Sequence, residues 1–398
     1  MVEESVINVA VIGVGIMGSN HVREVHNSGY ARLAAVCDID QERADRLASE
    51  YQVPATYSYT DLLEADNIDA VVVATPHYDH TPISIDFLKK GISVMVEKPI
   101  AVHINDAQKM IAAYEDSRKK YPELVFGIMF QQRTYGFWMK VKEMIDQGEL
   151  GKLVRATWLI TDWFRTQFYY DNGGWRATWK GEGGGVLLNQ CPHNLDLYQW
   201  FFGMPNRIAG FASIGKYHHI EVEDEVTGYF EHENGMVGHF ITTTAESPGT
   251  NRLEIVGEKG KLVFEDERLT LYRNKGSMFE FIRTAQSAWD KVEYEVEEVP
   301  YNHHGEPGHK LVLERFFNAI QRGGTLVAPA VEGINSLILS NGIMLSHFLQ
   351  KPVDLPLDGD AYEGWLNDMI YRSTFKKEVR GGDVGDIRKS FGFQGERR

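Results

Sequence analysis

Cysteine is scarce in this 398-residue chain, which holds only Cys37 and Cys191. That count excludes a disulfide framework and a cysteine-rich zinc site, and suits a reducing compartment. Long apolar runs are missing too: no stretch approaches the roughly 18 to 20 residues that span a bilayer. The opening segment, MVEESVINVAVIGVGIMG, has no basic stretch ahead of its apolar run and starts with acidic charges. A secretory leader is therefore not expected, and the expected location is cytoplasmic. Positive charge is also in deficit, with 41 Lys and Arg against 56 Asp and Glu and a formal net charge of −15. Nucleic acid and anionic membrane are disfavoured as partners, because both are bound through a basic footprint.

What remains is the balance of a soluble folded protein, 43% hydrophobic and 24% charged. Up to about residue 130, short β-branched runs alternate with amphipathic stretches, the pattern of parallel strands joined by crossover helices. Expected strands cover 6–12, 33–38, 70–74, 93–96 and 124–130. From about residue 152, longer alternating segments take over. Runs 226–232 and 236–242 flank Glu233-Asn234-Gly235, and runs 253–256 and 261–265 flank Glu258-Lys259-Gly260, both hairpin-like. Val292, Tyr294 and Val296 alternate with charged residues, as in a sheet with one wet face. Helical patterns over 308–324 and 331–349 are expected to cover one side of that sheet. No internal repeat is visible.

The expected fold is thus α/β followed by α+β: a doubly wound parallel sheet in residues 1–130, then a mainly antiparallel sheet with helices on one side in 131–375. Residues 376–398 hold seven Lys/Arg against four Asp/Glu and are expected to form a loose basic tail.

Gly13-Val14-Gly15-Ile16-Met17-Gly18 is G-x-G-x-x-G directly between an apolar strand and a helical stretch. Gly13 permits the tight turn, Gly15 the approach of a pyrophosphate, and Gly18 close helix–strand packing. The helix N-terminus then faces the anion. Asp38, twenty positions after Gly18, ends the next strand. A carboxylate there accepts hydrogen bonds from ribose hydroxyls and repels a 2′-phosphate, which favours NAD; Arg43 nearby leaves NADP as the lesser alternative. A solvated strand-end acid is the bland reading of Asp38.

Glu97-Lys98-Pro99 ends the strand 93–96, where open α/β sheets bind ligands. Gly183-Gly184-Gly185-x-Leu-x-Asn189-x3-His193-x2-Asp196 opens a helix in the second part. With the N-terminal fingerprint and Ala74-Thr75-Pro76-x3-His80, these motifs resemble the Gfo/Idh/MocA family of glucose-fructose oxidoreductases and inositol dehydrogenases, over roughly residues 6 to 350. The resemblance implies a Rossmann domain, an open-faced substrate-binding and oligomerisation domain, and redox chemistry on a sugar or cyclitol with NAD(P). It also implies a homodimer or tetramer. It places Lys98 on the reacting oxygen and makes His193 the general acid/base. Ala74, Thr75, Pro76, His80, Glu97, Lys98 and the stretch Gln131-Gln132-Arg133 then border the cofactor, with Gly13, Gly15, Ile16, Met17, Gly18 and Asp38. The family pattern has aspartate four residues before the histidine, where this chain has Asn189.

The residues suit that chemistry on their own terms. Hydride leaves an alcohol carbon only if the hydroxyl proton is taken up, and histidine, with an ordinary pKa of about 6.5, does this near neutrality. An ammonium beside the same oxygen stabilises alkoxide charge. Asn189 can bind substrate or orient His193, but does not titrate. Asp162, Trp163, Arg165, Tyr170, Trp175 and Arg176 lie in an aromatic, polar segment suited to a sugar ring, although some of its aromatics can be core or interface; Trp175-Arg176 resembles a W-R pair of the family and can contact either substrate or nicotinamide. Asp196 can bind substrate or merely the backbone. His77 and His80 can equally be helix caps. His303-His304 with His309, and His218-His219, lack zinc spacing, and no metal is expected.

These features point to an NAD-dependent dehydrogenase acting on a secondary hydroxyl of a sugar, glycoside or cyclitol. The alternatives are a glycoside hydrolase or lyase that recycles bound NAD, and a non-catalytic NAD sensor. The acidic surface makes a neutral polyol the more natural substrate, unless a local basic patch reverses that.

Overall fold

The computed structural model describes residues 6–303 and 305–382. Its first sheet is β1 (Ile7–Ile12), β2 (Ala31–Cys37), β3 (Ala55–Thr56), β4 (Ala70–Val73), β5 (Ser93–Val96) and β6 (Phe126–Ile128), ordered 3-2-1-4-5-6. All its pairings are parallel. β4 and β5 are buried throughout, which is why they read as unbroken apolar runs rather than alternations. The order reverses between β1 and β4, so the crevice outside their carboxyl ends is where such a sheet takes a ligand. The expected strand 124–130 contracts to three residues, because the chain turns into a 3-10 helix at Gln131–Thr134.

The second sheet comprises β7 (Leu153–Ile160), β8 (Arg207–Ile214), β9 (Glu223–Glu231), β10 (Val237–Thr243), β11 (Asn251–Gly257), β12 (Gly260–Glu265), β13 (Arg268–Asn274), β14 (Tyr294–Glu298) and β15 (Val353–Asp354). The order is 14-13-12-11-7-10-9-8-15, and β7 with β10 is its one parallel pairing among the described residues. Both expected hairpins form, β9–β10 and β11–β12. The helix Gly333–Leu349 packs on β8 so closely that the Ser346 hydroxyl takes the Gly210 N–H at 2.9 Å.

Three expectations change. β14 is an edge strand exposed on both faces, with Tyr294 58% and Val296 57% accessible, so its alternation marks no buried face. The helix His309–Arg322 leaves the second sheet and returns to the first. Its Val312, Leu313, Phe316 and Phe317 share a core with Val9, Val11, Val22 and Val25. Most of the expected tail, 383–398, lies outside the described residues, as do residues 1–5, but 375–382 is held down. Lys377 Nζ donates to the Arg176 carbonyl at 2.7 Å, Arg380 N donates to the Asp171 carbonyl at 3.0 Å, and Phe375 packs on His219.

Candidate active site

The nucleotide cradle is built from backbone. Gly13 sits at φ +81°, and a Cβ there would meet the Ala74 carbonyl, so a side chain would push apart the ends of β1 and β4. A Cβ on Gly18 would strike the Gly13 carbonyl oxygen, whereas Gly15 faces open space. The helix Ile16–His26 therefore starts with its N–H groups and an unfilled approach in front of it. Asp38 is buried at the end of β2, its Oδ2 accepting from Val14 N at 2.8 Å and its Oδ1 from Asp40 N at 2.9 Å. Arg43 reaches Asp38 at 3.3 Å and Asp40 at 3.0 Å, so its guanidinium is already shared by two carboxylates. An open phosphate approach with a fixed carboxylate at the ribose end fits a dinucleotide.

At the end of β5, Glu97 and Lys98 point into different environments. Burial alone would raise the Glu97 carboxyl. The 2.7 Å contact with His21, together with the His309 and Lys98 charges, holds it instead at about 2. Lys98 Nζ donates to the Asn189 carbonyl at 2.7 Å, and burial draws its pKa down. His80 spans two loops, with Nδ1 2.8 Å from the Pro99 carbonyl and Nε2 3.0 Å from that of Thr75. It thereby ties the Thr75-Pro76 turn to the lysine. His77 Nδ1 is 3.0 Å from the Glu182 carbonyl, binding the same turn to the second domain.

His193 stands in the first turn of the helix Pro192–Phe202. Its Nε2 is 3.1 Å from Gln131 Nε2, while Nδ1 is buried with no partner. Burial, then the Lys98 charge, pulls its pKa well below the ordinary value, so the ring is neutral at neutral pH. The Gln131 amide can present either face, and so can support either tautomer. The adjacent glycine turn is pinned from below: Glu223 accepts from Gly185 N at 2.8 Å and Leu187 N at 3.0 Å, and a Cβ on Gly185 would strike the Glu223 carbonyl.

Asn189 is fully engaged. Its carbonyl holds Lys98, its Oδ1 accepts from the Tyr169 hydroxyl at 3.2 Å, and its Nδ2 donates to Glu182. Glu182, which sequence reasoning missed, is a buried carboxylate beside the position where the family pattern has aspartate, and burial raises its pKa. Glu223 was missed as well, since one glutamate at a strand start carries no local signal, and Gln131, expected only as part of the stretch bordering the cofactor, stands against His193. Several expected contacts go elsewhere. Gln132 Oε1 accepts from Trp138 at 2.9 Å, and Arg133 makes a fork to Asp196 at 2.6 and 2.8 Å plus a bond to Glu332 at 2.6 Å. Asp196 thus spends its carboxylate on Arg133 and Gln199, and locks Gln131–Thr134 to the His193 helix.

In the aromatic segment, Trp163 Nε1 donates to Asn194 at 3.4 Å and the Tyr170 hydroxyl to Thr244 at 2.9 Å, both buried. Asp162 is pushed up to about 6 by burial. Trp175 packs edge-on against His77, with centroids 5.0 Å apart, and Arg176 lies over both Trp175 and Tyr169. Among the described residues, no cluster of His, Cys, Asp or Glu is arranged to hold a metal. His303 accepts from Gly136 N at 3.1 Å, His218 sits between Asp224 and the Arg165 carbonyl, and His304 lies outside the described residues. No described helix is long and apolar enough to cross a membrane.

Residues 7–122 match an oxidoreductase family with an NAD-binding Rossmann fold, GFO_IDH_MocA, and residues 138–263 match the C-terminal domain of the same family. A scyllo-inositol 2-dehydrogenase (NAD(+)) of Bacillus subtilis is 24% identical over 373 residues, 91% of this chain and 99% of that protein. An alpha-N-acetylgalactosaminidase of Shewanella oneidensis is 30% identical over 46% of this chain and 41% of its own. The WlbA dehydrogenase of Bordetella pertussis, solved with NADH and UDP-GlcNAcA, superposes with a TM-score of 0.74 at 25% identity, covering 89% of this chain and all of that one.

Proposed function

The chain belongs to the GFO/IDH/MocA family of NAD-binding oxidoreductases, and from that premise we propose that it is a dehydrogenase of a secondary hydroxyl on a sugar, glycoside or cyclitol. The observation that carries the reading is a buried Lys98 ammonium at the end of β5 whose charge reaches His193, a neutral ring whose Nδ1 has no partner. NAD, when bound, supplies the hydride acceptor. With the Gln131 amide turned so that its otherwise unpartnered Oε1 accepts from Nε2–H, His193 keeps its Nδ1 lone pair free for the hydroxyl proton. Lys98 stabilises the oxygen as negative charge builds on it, and its bond to the Asn189 carbonyl aims the ammonium without neutralising it. Asn189 positions Lys98 and takes no proton. His80 and His77 hold the turn next to the cradle.

The inositol dehydrogenase relative is named for NAD(+) and the WlbA dehydrogenase was solved with NADH, which supports this reading. The test is direct: purified protein with NAD and a panel of cyclitols and sugars should form NADH with at least one of them. A panel that yields no NADH and no ketone contradicts it. A second reading, hydrolysis with NAD recycled within the cycle, is favoured by the galactosaminidase relative. It predicts aglycone release from a glycoside with no net NADH.

A further inference from the structure

The substrate side of the cleft concentrates positive charge on a protein whose net charge is −15. The ring of Tyr169 is its centre. Arg165 lies 5.2 Å and Arg176 5.1 Å from the ring centroid, and the Tyr169 hydroxyl donates to Asn189, whose carbonyl holds Lys98. A fourth cation, Lys377, arrives from the C-terminal segment and donates to the Arg176 carbonyl at 2.7 Å. Lys98 and Lys377 thus both spend a hydrogen bond on neutral carbonyls.

Arg176 is the unusual member. Among the described residues no carboxylate lies within ion-pair distance of it, and its Nε is enclosed with no hydrogen-bond partner. Glu182 contributes charge nearby, but its oxygens are given to Asn189 and to Ala177 N. The Ala177 bond is made with Ala177 at φ +65°, a conformation that alanine rarely adopts. Strain of this kind persists where the surroundings enforce it, and here it fixes the residue next to Arg176. The enclosed Nε is one donor of the guanidinium fork left open, and a charged donor of that kind matches an oxyanion. The cofactor's own phosphates have the Gly13–Gly18 turn, whereas Arg176 is linked through Tyr169 and Asn189 to Lys98, where the reacting oxygen binds.

We propose that the substrate is a sugar carrying an oxyanion, foremost a carboxylate, and that Arg176, with Arg165 and Lys377 beside it, binds that group. The inference rests on the dehydrogenase reading above. It reverses the expectation of a neutral polyol, because the field that matters is that of the cleft and not of the whole surface.

The test compares the full-length enzyme on matched probes with NAD: glucuronate and galacturonate, their methyl esters, glucose 6-phosphate, and neutral glycosides and cyclitols. A uronate should exceed its methyl ester in kcat/KM by roughly ten- to hundredfold, the range of a hydrogen bond between charged groups. Arg176→Gln should erase that preference through KM, while the Kd for NADH stays within about twofold of the parent. The NADH titration also reports that the variant is folded, and Arg176→Lys should recover part of the preference. Glucose 6-phosphate outperforming both uronates assigns the site to phosphate and overturns the carboxylate. Neutral sugars turned over as well as uronates, or Arg176→Gln weakening NADH as much as substrate, overturns the inference and leaves the dehydrogenase intact. If no probe yields NADH, titration of uronate into the NADH complex decides: uronate binding lost in Arg176→Gln supports the oxyanion site while the dehydrogenase reading fails, and no binding overturns both.

Discussion

The two sides of the cleft balance their charges differently. On the cofactor side each buried ion meets a counterpart: Asp38 meets backbone N–H groups and Arg43, Glu97 meets His21, and Arg133 meets Asp196 and Glu332. On the substrate side Lys98 and Lys377 lean on carbonyls, and His193 Nδ1 and Arg176 Nε have no partner at all. The first set pairs its charges within the fold; the second, on the proposed function, is completed by a ligand. Breaking a pair on one side should therefore cost stability, and removing a group on the other should cost chemistry.

The largest expected effect is on the unfinished side. His193→Ala should lower kcat/KM by about 10²- to 10⁴-fold, the range of positioned acid–base catalysis, with little change in Tm. Lys98→Ala should follow at about 10²- to 10³-fold, as for loss of an oxyanion donor. Steady-state kinetics beside thermal melts check both, and a variant that melts early instead of slowing would erase the contrast. Across the divide, Asp196→Ala leaves the Arg133 guanidinium with Glu332 as its remaining carboxylate and should destabilise the fold by about 3 kcal/mol in denaturant unfolding. Its remaining folded fraction should still bind NADH. Smallest is Asp38→Ser, which should improve NADPH relative to NADH by roughly tenfold in Kd, since Arg43 is then released toward a 2′-phosphate.

The same contrast explains what was legible. G-x-G-x-x-G and Asp38 could be read because their job is done by local backbone geometry, so spacing along the chain is spacing in the site. Lys98 and His193 were singled out through motifs anchored to a strand end and a glycine turn. Glu182 and Glu223 were not, because their meaning depends on partners such as Asn189 and Gly185, which come together only in the fold. Arg133 misled for the same reason: its position beside the cofactor strand is real, but Asp196, 63 residues away, captures it. The helix His309–Arg322 was read correctly as a helix, yet its apolar stripe could not reveal which of two sheets it would cover.

The pH dependence of kcat/KM for alcohol oxidation tests the central claim that His193 is the base. Oxidation requires the neutral ring, and burial beside Lys98 lowers its pKa, so activity is full at neutral pH and is lost only as pH falls through the depressed value. The account predicts an acid limb clearly below the ordinary histidine value of about 6.5, and its disappearance in His193→Ala. An acid limb at or above that value, or one that survives the substitution unchanged, would contradict it.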